Sequence, residues 1–155
     1  MAYRIQGLLP EPFAPLFGLS EAELADRGAL RVTADGKPGF PCRITLEDAE
    51  PGETLILLNH VSHDSASPYR ASHAIFVREG ADTAAAYVDE TPPVFAGRTL
   101  SLRGFDAEGM MQGAVLAPPG EADAQIRALL AQPGIVSIHA HNATRGCFSA
   151  RIERN

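Results

Sequence analysis

The C-terminal part of the chain alternates apolar and polar residues on both sides of a short polar loop, and no other feature constrains the fold as strongly. Because successive side chains of a β-strand point to opposite faces, this alternation predicts strands over residues 135–141 and 147–153. The loop 142–146 joins them as an antiparallel hairpin with one apolar face. The apolar set is Val136, Ile138, Ala140, Phe148, Ala150 and Ile152, and the polar set is Ser137, His139, His141, Cys147, Ser149 and Arg151.

The loop also predicts the register of this hairpin. Both apolar sets face the core only if odd-numbered residues pair with odd-numbered ones, and the loop 142–146 satisfies that condition. Directly opposed side chains lie about 5 Å apart at Cβ, which is close enough for contact. The expected pairs are His141 with Cys147, His139 with Ser149, and Ser137 with Arg151.

The polar face of the predicted hairpin carries side chains that can do chemistry. An imidazole beside a thiol favours a thiolate nucleophile, so we predict Cys147 as a nucleophile or redox thiol, with His141 as its base and His139 beside it. Two imidazoles at positions i and i+2 of a strand can also ligate a metal ion, which makes His139 and His141 alternative metal ligands. A polar face that is simply exposed to solvent explains the same pattern. The residues alone leave these three interpretations open.

A second candidate segment is the polar loop DSASPYRAS, which runs from Asp64 to Ser72. The apolar runs on either side of it, 54–61 and 73–77, predict central strands that are covered on both faces. A guanidinium among hydroxyl groups can bind a carboxylate or a phosphate, and the same composition is also typical of a turn-rich connection. The candidate ligand-binding residues of this loop are Ser67, Tyr69 and Arg70.

Further ligand-binding candidates lie in two hairpins. Residues 98–105 and 110–117 are strand-like on either side of a DAEG turn and predict another hairpin. Arg103 shares a face there with Thr99 and Ser101, and it adds to an anion site if this hairpin lies beside the C-terminal one. The candidates from the C-terminal hairpin are Asn142, Ser149 and Arg151.

The middle histidines and the second cysteine are predicted to be structural. His60 and His63 are three positions apart, so on one strand they point to opposite faces, and a packed His60 with a solvated His63 fits better than a ligand pair. Cys42 lies on the apolar side of a predicted strand over 42–46, which indicates a buried packing thiol. If the strands of both cysteines belong to one sheet, their sulfurs lie on opposite faces and cannot bridge.

Two helices are predicted among the strands. Ser20 and Glu23 form a capping box at the start of a short helix that ends at Gly28. The segment 121–132 has the periodicity of an amphipathic helix and is followed by Pro-Gly. A few short helices among mostly antiparallel strands predict a single compact α+β domain of 155 residues, with an all-β fold as the alternative.

The composition excludes several classes of function. A formal net charge of −6 at pH 7 offers no basic surface to nucleic acid or to an anionic membrane, so neither is expected as a partner. No apolar run is long enough to span a bilayer, and prolines interrupt the N-terminal segment, which does not fit a secretory signal. With only 2 cysteines a disulfide scaffold is not expected. A reducing, cytoplasmic location is expected instead.

Four motifs occur in order along the chain: GFPCRITLEDAEPGE, SPYRASHAIFVREGA, RTLSLRGFDAEGMM and HAHNATRGCFSARIER. With them the chain resembles, from Tyr3 to Arg154, a bacterial family catalogued only as a domain of unknown function (number 1203). The resemblance implies a stand-alone soluble bacterial protein of about this length and carries over no activity, substrate or catalytic residue. Ser-Gly often stands in that family where this chain has Ser72-His73, so the resemblance implies no shared role for His73.

Two functions of different kinds are therefore predicted. The first is an enzyme or small-molecule-binding protein whose pocket joins the C-terminal hairpin to the Asp64–Ser72 loop and holds a small anionic ligand, with Arg70 or Arg151 as its anchor. The second is a non-catalytic interaction module whose hairpin face is exposed to solvent. The sequence indicates no particular oligomeric state.

Overall fold

The computed structural model describes all 155 residues, Met1–Asn155. The strands are β1 (Tyr3–Gln6), β2 (Leu30–Thr33), β3 (Thr54–His63), β4 (Ala71–Arg78), β5 (Ala86–Val88), β6 (Leu100–Phe105), β7 (Met111–Ala117), β8 (Ser137–Asn142) and β9 (Phe148–Arg154). The α-helices are α1 (Glu21–Ala25) and α2 (Ala122–Leu130), and 3₁₀ turns lie at Ala14–Leu16 and Pro93–Phe95. All strand pairs are antiparallel, in a six-stranded sheet of order β5-β1-β9-β8-β6-β7 and a three-stranded sheet of order β2-β3-β4. The α+β prediction is confirmed.

One face of the larger sheet forms the main core beneath α2. The helix turns Ile126 and Leu130 toward the sheet, as its amphipathic pattern predicts. These side chains are fully buried in one cluster with Ile138 of β8 and Ile152 of β9. Four members of the apolar set therefore face the core, namely Ile138, Ala140, Ala150 and Ile152, and the opposite face of the sheet is left for the polar set. Neither α-helix is long and apolar enough to cross a membrane.

Helix α1 begins with the predicted capping box. The Ser20 hydroxyl accepts a hydrogen bond from the Glu23 backbone N–H, and the Glu23 carboxylate accepts one from the Ser20 N–H. Gly28 follows the helix with a left-handed φ of 68°. The buried Leu24 joins a second core with Ile56 and other apolar side chains of the smaller sheet.

Strand β3 is the centre of the smaller sheet, as expected for a run that is apolar on both faces. Ile56 packs into the second core, and the adjacent Leu55 packs with Ala34 and Ala49 on the other side. The prediction that the next run is also a central strand is wrong. Strand β4 is an edge strand, because beyond it there is only one isolated bridge, between Phe76 and Cys42.

The predicted strand over 42–46 is instead a turn. Pro41 has no N–H to donate to a ladder, and it makes only an isolated bridge with Asp48. Leu46 has a left-handed backbone with φ 55°, and its N–H donates back to the Cys42 carbonyl at 2.9 Å. Cys42 is nevertheless fully buried, as predicted, and both cysteines are free thiols.

Candidate functional site

The hairpin β8–β9 keeps the predicted pairing of odd with odd residues but shifts it by two positions. His139 lies opposite Arg151, and Ser137 lies opposite Glu153. The predicted pairs of His139 with Ser149 and of Ser137 with Arg151 are therefore wrong. The cause is a different closure of the loop, because the Asn142 N–H donates to the Cys147 carbonyl at 2.9 Å.

A β-bulge in β9 separates two registers of this hairpin, one next to the loop and one beyond it. Next to the loop, His141 is paired with Phe148, and beyond the bulge Ala140 is paired with Ala150. Ser149 is the extra, buried residue of the bulge. Because directly paired residues share a face, Phe148 points to the side of the histidines and not, as predicted, into the core with Ala150. Its ring centre is 5.5 Å from that of His139.

A row of polar residues crosses three strands of this face. Arg103 on β6 pairs with His139 on β8, and His139 pairs with Arg151 on β9. Arg103 is half-buried and donates from Nε to the Ser101 hydroxyl at 3.2 Å, and no carboxylate pairs with it. Arg151 is half-exposed and forms an ion pair with Glu153. The two hairpins thus lie side by side, as the proposed anion site requires. We call Arg103, His139 and Arg151 the arginine–histidine row.

His139 is the buried centre of this row. Its side chain is 1% exposed, and neither of its ring nitrogens has a hydrogen-bond partner. Burial, followed by the charge of Arg151, lowers the pKa of His139 to about 3. The imidazole is therefore neutral at pH 7, and it retains one free N–H donor and one free acceptor.

All the histidines of the chain meet between the two sheets. The His63 ring centre is 5.1 Å from that of His139, and the His73 ring centre is 4.8 Å from that of His141. His60 is the cross-strand partner of His73. We call this set the histidine layer; it comprises His60, His63, His73, His139 and His141. The smaller sheet covers His139 and His141, which are therefore not the solvent-exposed residues that the third interpretation describes.

A bulge in β3 brings His63 into this layer. The register of β3 against β4 shifts between Val61 and His63, which turns His63 to the same side as His60. The prediction of a packed His60 and a solvated His63 is wrong, because His63 is buried and His60 is half-buried. His63 Nε2 lies 2.9 Å from the Gly109 carbonyl, to which it donates. This contact ties β3 to the β6–β7 turn.

Three other histidines of the layer, His60, His73 and His141, also have lowered pKa values. Burial lowers the pKa of His60 and of His73, and neighbouring positive charges add to the effect. Burial lowers the pKa of His141 to about 4, even though the hydrogen bond from its Nδ1 to the Gly146 carbonyl, at 2.9 Å, opposes this. No group of three or more histidine, cysteine, aspartate or glutamate side chains is arranged to hold a metal ion.

The predicted pairing of His141 with Cys147 is also wrong, because His141 lies opposite Phe148, and no hydrogen bond joins the imidazole to the thiol. The Cys147 sulfur accepts hydrogen bonds from Arg43 Nη2 at 3.3 Å and from Asn142 Nδ2 at 3.5 Å. Arg43 is only 2% exposed and was not among the candidate residues. Arg43 lies between Cys42 and Ile44, and no local pattern in the sequence signals that the chain turns there and buries the guanidinium.

An open cleft of about 460 Å³ lies beside the arginine–histidine row. It is lined by residues 61–65, 106–109, Val136, Ser137 and Arg151. The cleft reaches the row through Arg151 and through His63, whose ring contacts His139. We call it the inter-sheet cleft.

The Asp64–Ser72 loop contributes only its first residues to this cleft. Asp64 and Ser65 line it, whereas the three ligand-binding candidates of the loop do not. Ser67 donates to the Gly109 carbonyl at 2.8 Å, and the exposed Arg70 forms an ion pair with Asp64. Tyr69 is 40% exposed, and its ring lies against that of Phe105. The structure thus gathers Arg103, His139 and Arg151 in one row, of which only Arg151 lines the cleft. Ser67, Tyr69 and Arg70 lie outside both the row and the cleft.

Residues 39–154 match the family model described as "Protein of unknown function (DUF1203)". The chain belongs to this family. The DUF1203 match includes the whole histidine layer, the arginine–histidine row and the inter-sheet cleft, whereas β1, α1 and β2 precede it. No curated protein and no solved structure matches the chain.

Proposed function

We propose that this DUF1203 protein binds a small anionic molecule, a carboxylate or a phosphate, at the arginine–histidine row. The observation that carries the proposal is the unpartnered imidazole of His139, which is buried between two strands that each supply an arginine. A buried polar group without a partner costs about 1–3 kcal/mol, and an anion that accepts its N–H removes that cost.

The spacing of the row suits such a ligand. Paired Cβ atoms lie about 5 Å apart, so Arg103 and Arg151 flank His139 with side chains long enough to converge on one anion. Guanidinium groups bind carboxylates and phosphates through paired N–H donors. Ser137 lies two residues before His139 on the same face of β8, and this serine lines the inter-sheet cleft.

Neither arginine of the row is held by a buried carboxylate. Arg103 has no carboxylate partner. The Arg151–Glu153 pair is about half-exposed, and such pairs contribute only about 0–1 kcal/mol, so an anionic ligand can compete with it. Asp106, on the rim, accepts from the Glu108 and Met110 N–H groups and from the Gln112 amide within its own turn. The Asp106 carboxylate is therefore held by hydrogen bonds within its own turn.

The test is ligand-induced stabilisation with inorganic phosphate and with malonate, against sodium chloride at equal ionic strength. A ligand that binds only the folded protein raises the free energy of unfolding with its concentration. We expect this rise in the parent protein, and we expect an affinity at least fivefold weaker in Arg103→Gln and Arg151→Gln.

The matched control is Arg145→Gln, which removes the same charge from an exposed position in the β8–β9 loop. This variant should bind as the parent does. If neither anion stabilises the parent, or if Arg145→Gln loses as much affinity as the two row variants, the proposal is wrong. The non-catalytic interaction module is then the better interpretation.

A further inference from the structure

Arg43 is a buried cation without a carboxylate partner. The side chain is 2% exposed, and no aspartate or glutamate forms an ion pair with it. Its Nε donates to the Phe148 carbonyl at 2.8 Å and its Nη1 to the Pro41 carbonyl at 2.7 Å. Its Nη2 donates to Cys147 Sγ at 3.3 Å. The hydrogen bonds to carbonyls satisfy donors but do not neutralise the charge.

The charge of Arg43 needs compensation, and Cys147 is placed to supply it through a direct hydrogen bond. An isolated buried ion is costly, and proteins compensate such ions with an opposite charge. Burial lowers the pKa of Arg43, yet a guanidinium stays protonated in proteins, so the group cannot escape the cost by losing its proton. Cys147 is the one ionisable side chain that is hydrogen-bonded to it.

The surroundings of the sulfur fit an anion. Asn142 Nδ2 donates to the same sulfur at 3.5 Å, so two N–H groups, one of them cationic, point at Cys147. Cationic surroundings and N–H donors are what distinguish reactive thiolates from inert structural thiols. Cys147 is partly exposed in the β8–β9 loop, so a solute can reach it.

Cys42 provides a comparison within the same chain. It is fully buried, and its sulfur accepts only backbone N–H groups, from Thr45 at 3.4 Å and Arg78 at 3.2 Å. No guanidinium donates to it. Cys42 therefore has the surroundings of a packing thiol, whereas Cys147 has both a cation and access to solvent.

We infer that Arg43 and Cys147 form a guanidinium–thiolate ion pair, and that Cys147 is a site of modification by hydroperoxides. With hydrogen peroxide, the thiolate sulfur attacks one peroxide oxygen and the O–O bond breaks. The sulfur is oxidised by two electrons to a sulfenate, and the peroxide is reduced to water, which keeps both protons. The sulfenate carries the same negative charge as the thiolate and stays paired with Arg43. This inference does not depend on the anion site.

The first experiment follows alkylation of each cysteine by iodoacetamide between pH 5 and pH 9, with the two peptides resolved by mass spectrometry. A free thiol of pKa about 8.5 is only a few per cent ionised at pH 7. A fully ionised thiol has more thiolate but is intrinsically less nucleophilic, so we expect Cys147 to react about tenfold faster than a free-thiol reference at pH 7. Its rate should be nearly constant from pH 6 to pH 9, and Cys42 should stay protected.

Three variants distinguish the effect of the Arg43–Cys147 ion pair from that of a lost positive charge elsewhere in the protein. Arg43→Gln should lower the pH 7 rate of Cys147 to that of the free-thiol reference or below, and Arg43→Lys should retain part of the enhancement. Arg145→Gln, with the same loss of charge in the β8–β9 loop itself, should leave the Cys147 rate unchanged. Because Arg43→Gln can unfold the protein, the thiolate ultraviolet absorbance of the parent is also measured against Cys147→Ser across the same pH range.

Two results would overturn the inference. One is a Cys147 rate in the parent that rises with pH as a free thiol does. The other is an absorbance difference between the parent and Cys147→Ser that is missing at pH 7. The oxidation itself is tested by trapping the sulfenate with dimedone after treatment with hydrogen peroxide. Labelling should occur at Cys147 and be lost in Arg43→Gln, and an unlabelled Cys147 in the parent would contradict the modification site.

Discussion

His73 and His141 face each other across the two sheets with their ring centres 4.8 Å apart. Each ring has a different anchor, since His73 Nδ1 lies 3.2 Å from the Ser62 hydroxyl and His141 Nδ1 lies 2.9 Å from the Gly146 carbonyl. Both imidazoles are neutral at pH 7, because burial lowers the pKa of each. The contact between the sheets therefore depends on histidines that carry no charge.

This arrangement predicts that mild acid destabilises the protein. The pKa of His139 is about 3 and that of His141 about 4 in the folded state, against about 6.5 in the unfolded chain. The unfolded state thus binds more protons, so their contribution to stability is complete above pH 6.5 and is lost as the pH falls toward 4 and then 3. At pH 5 we expect a loss of about 2 kcal/mol for each of these two histidines. Urea denaturation at pH 7.5 and pH 5 measures it.

The histidine layer can be tested separately from the carboxylates. Carboxylates with lowered pKa values, such as Glu79 at about 2, act mainly below pH 5, because an unfolded glutamate titrates near 4.3. The loss between pH 7.5 and pH 5 should therefore come from histidines, and His139→Phe should remove about 2 kcal/mol of it. An equal loss in the parent and in this variant would contradict the assignment.

His139→Phe also separates stability from binding at neutral pH. The substitution removes two buried ring nitrogens that have no partner and keeps an aromatic ring beside Phe105 and Phe148. In anion-free buffer at pH 7.5 we expect the free energy of unfolding to be unchanged or about 1 kcal/mol higher. Stabilisation by phosphate should disappear in the same variant. A loss of stability without anion would show that the imidazole has a structural hydrogen bond.

The local parts of the fold could be predicted from the sequence, because their causes lie within a few residues. The capping box at Ser20 and the apolar face of α2 each follow from spacing along one helix. The alternation in β8 and β9 correctly assigned Ile138, Ala140, Ala150 and Ile152 to the core side, but it placed Phe148 there wrongly. The register was wrong because loop closure at Cys147 and the bulge at Ser149 are set by hydrogen bonds that leave no trace in alternation.

The candidate site could be predicted only in part, because its other half comes from a different sheet. The placement of Arg103 beside the polar face of the C-terminal hairpin follows from placing two hairpins side by side, but the pairing of His139 with Arg151 belongs to a register that was predicted wrongly. The smaller sheet covers this row with His63. This contact depends on a bulge in β3 and on the packing of the two sheets, and the periodicity of the sequence predicts neither. Arg43 was missed for the same reason, since its partner Cys147 is distant in sequence.

The capping box of α1 predicts a moderate loss of stability in Ser20→Ala. The Ser20 hydroxyl accepts from the Glu23 N–H at 3.1 Å, and the reciprocal bond is also present. Loss of such a cap costs about 1 kcal/mol, which urea denaturation resolves. Thr91→Ala, which removes a hydroxyl without a hydrogen bond from an exposed loop position, is the control and should change the free energy of unfolding by less than about 0.5 kcal/mol. A cost below that limit in Ser20→Ala would mean that α1 contributes little to the folded state.

Gly146→Ala predicts a coupling between the β8–β9 loop and the histidine layer. Gly146 has a left-handed φ of 80°, and its carbonyl accepts the hydrogen bond from His141 Nδ1. Nothing lies within 4 Å of an added Cβ, so the cost of about 1 kcal/mol comes from the backbone alone. Gly36→Ala is the matched control, because its site is equally open and its φ is not in the left-handed region. It should cost little. If the strained loop shifts the Gly146 carbonyl, the His141 ring loses its hydrogen bond to it. The side-chain nitrogen chemical shifts of His141 should then change in Gly146→Ala and stay unchanged in Gly36→Ala. Equal costs and unchanged shifts in both variants would show that the loop does not hold the ring.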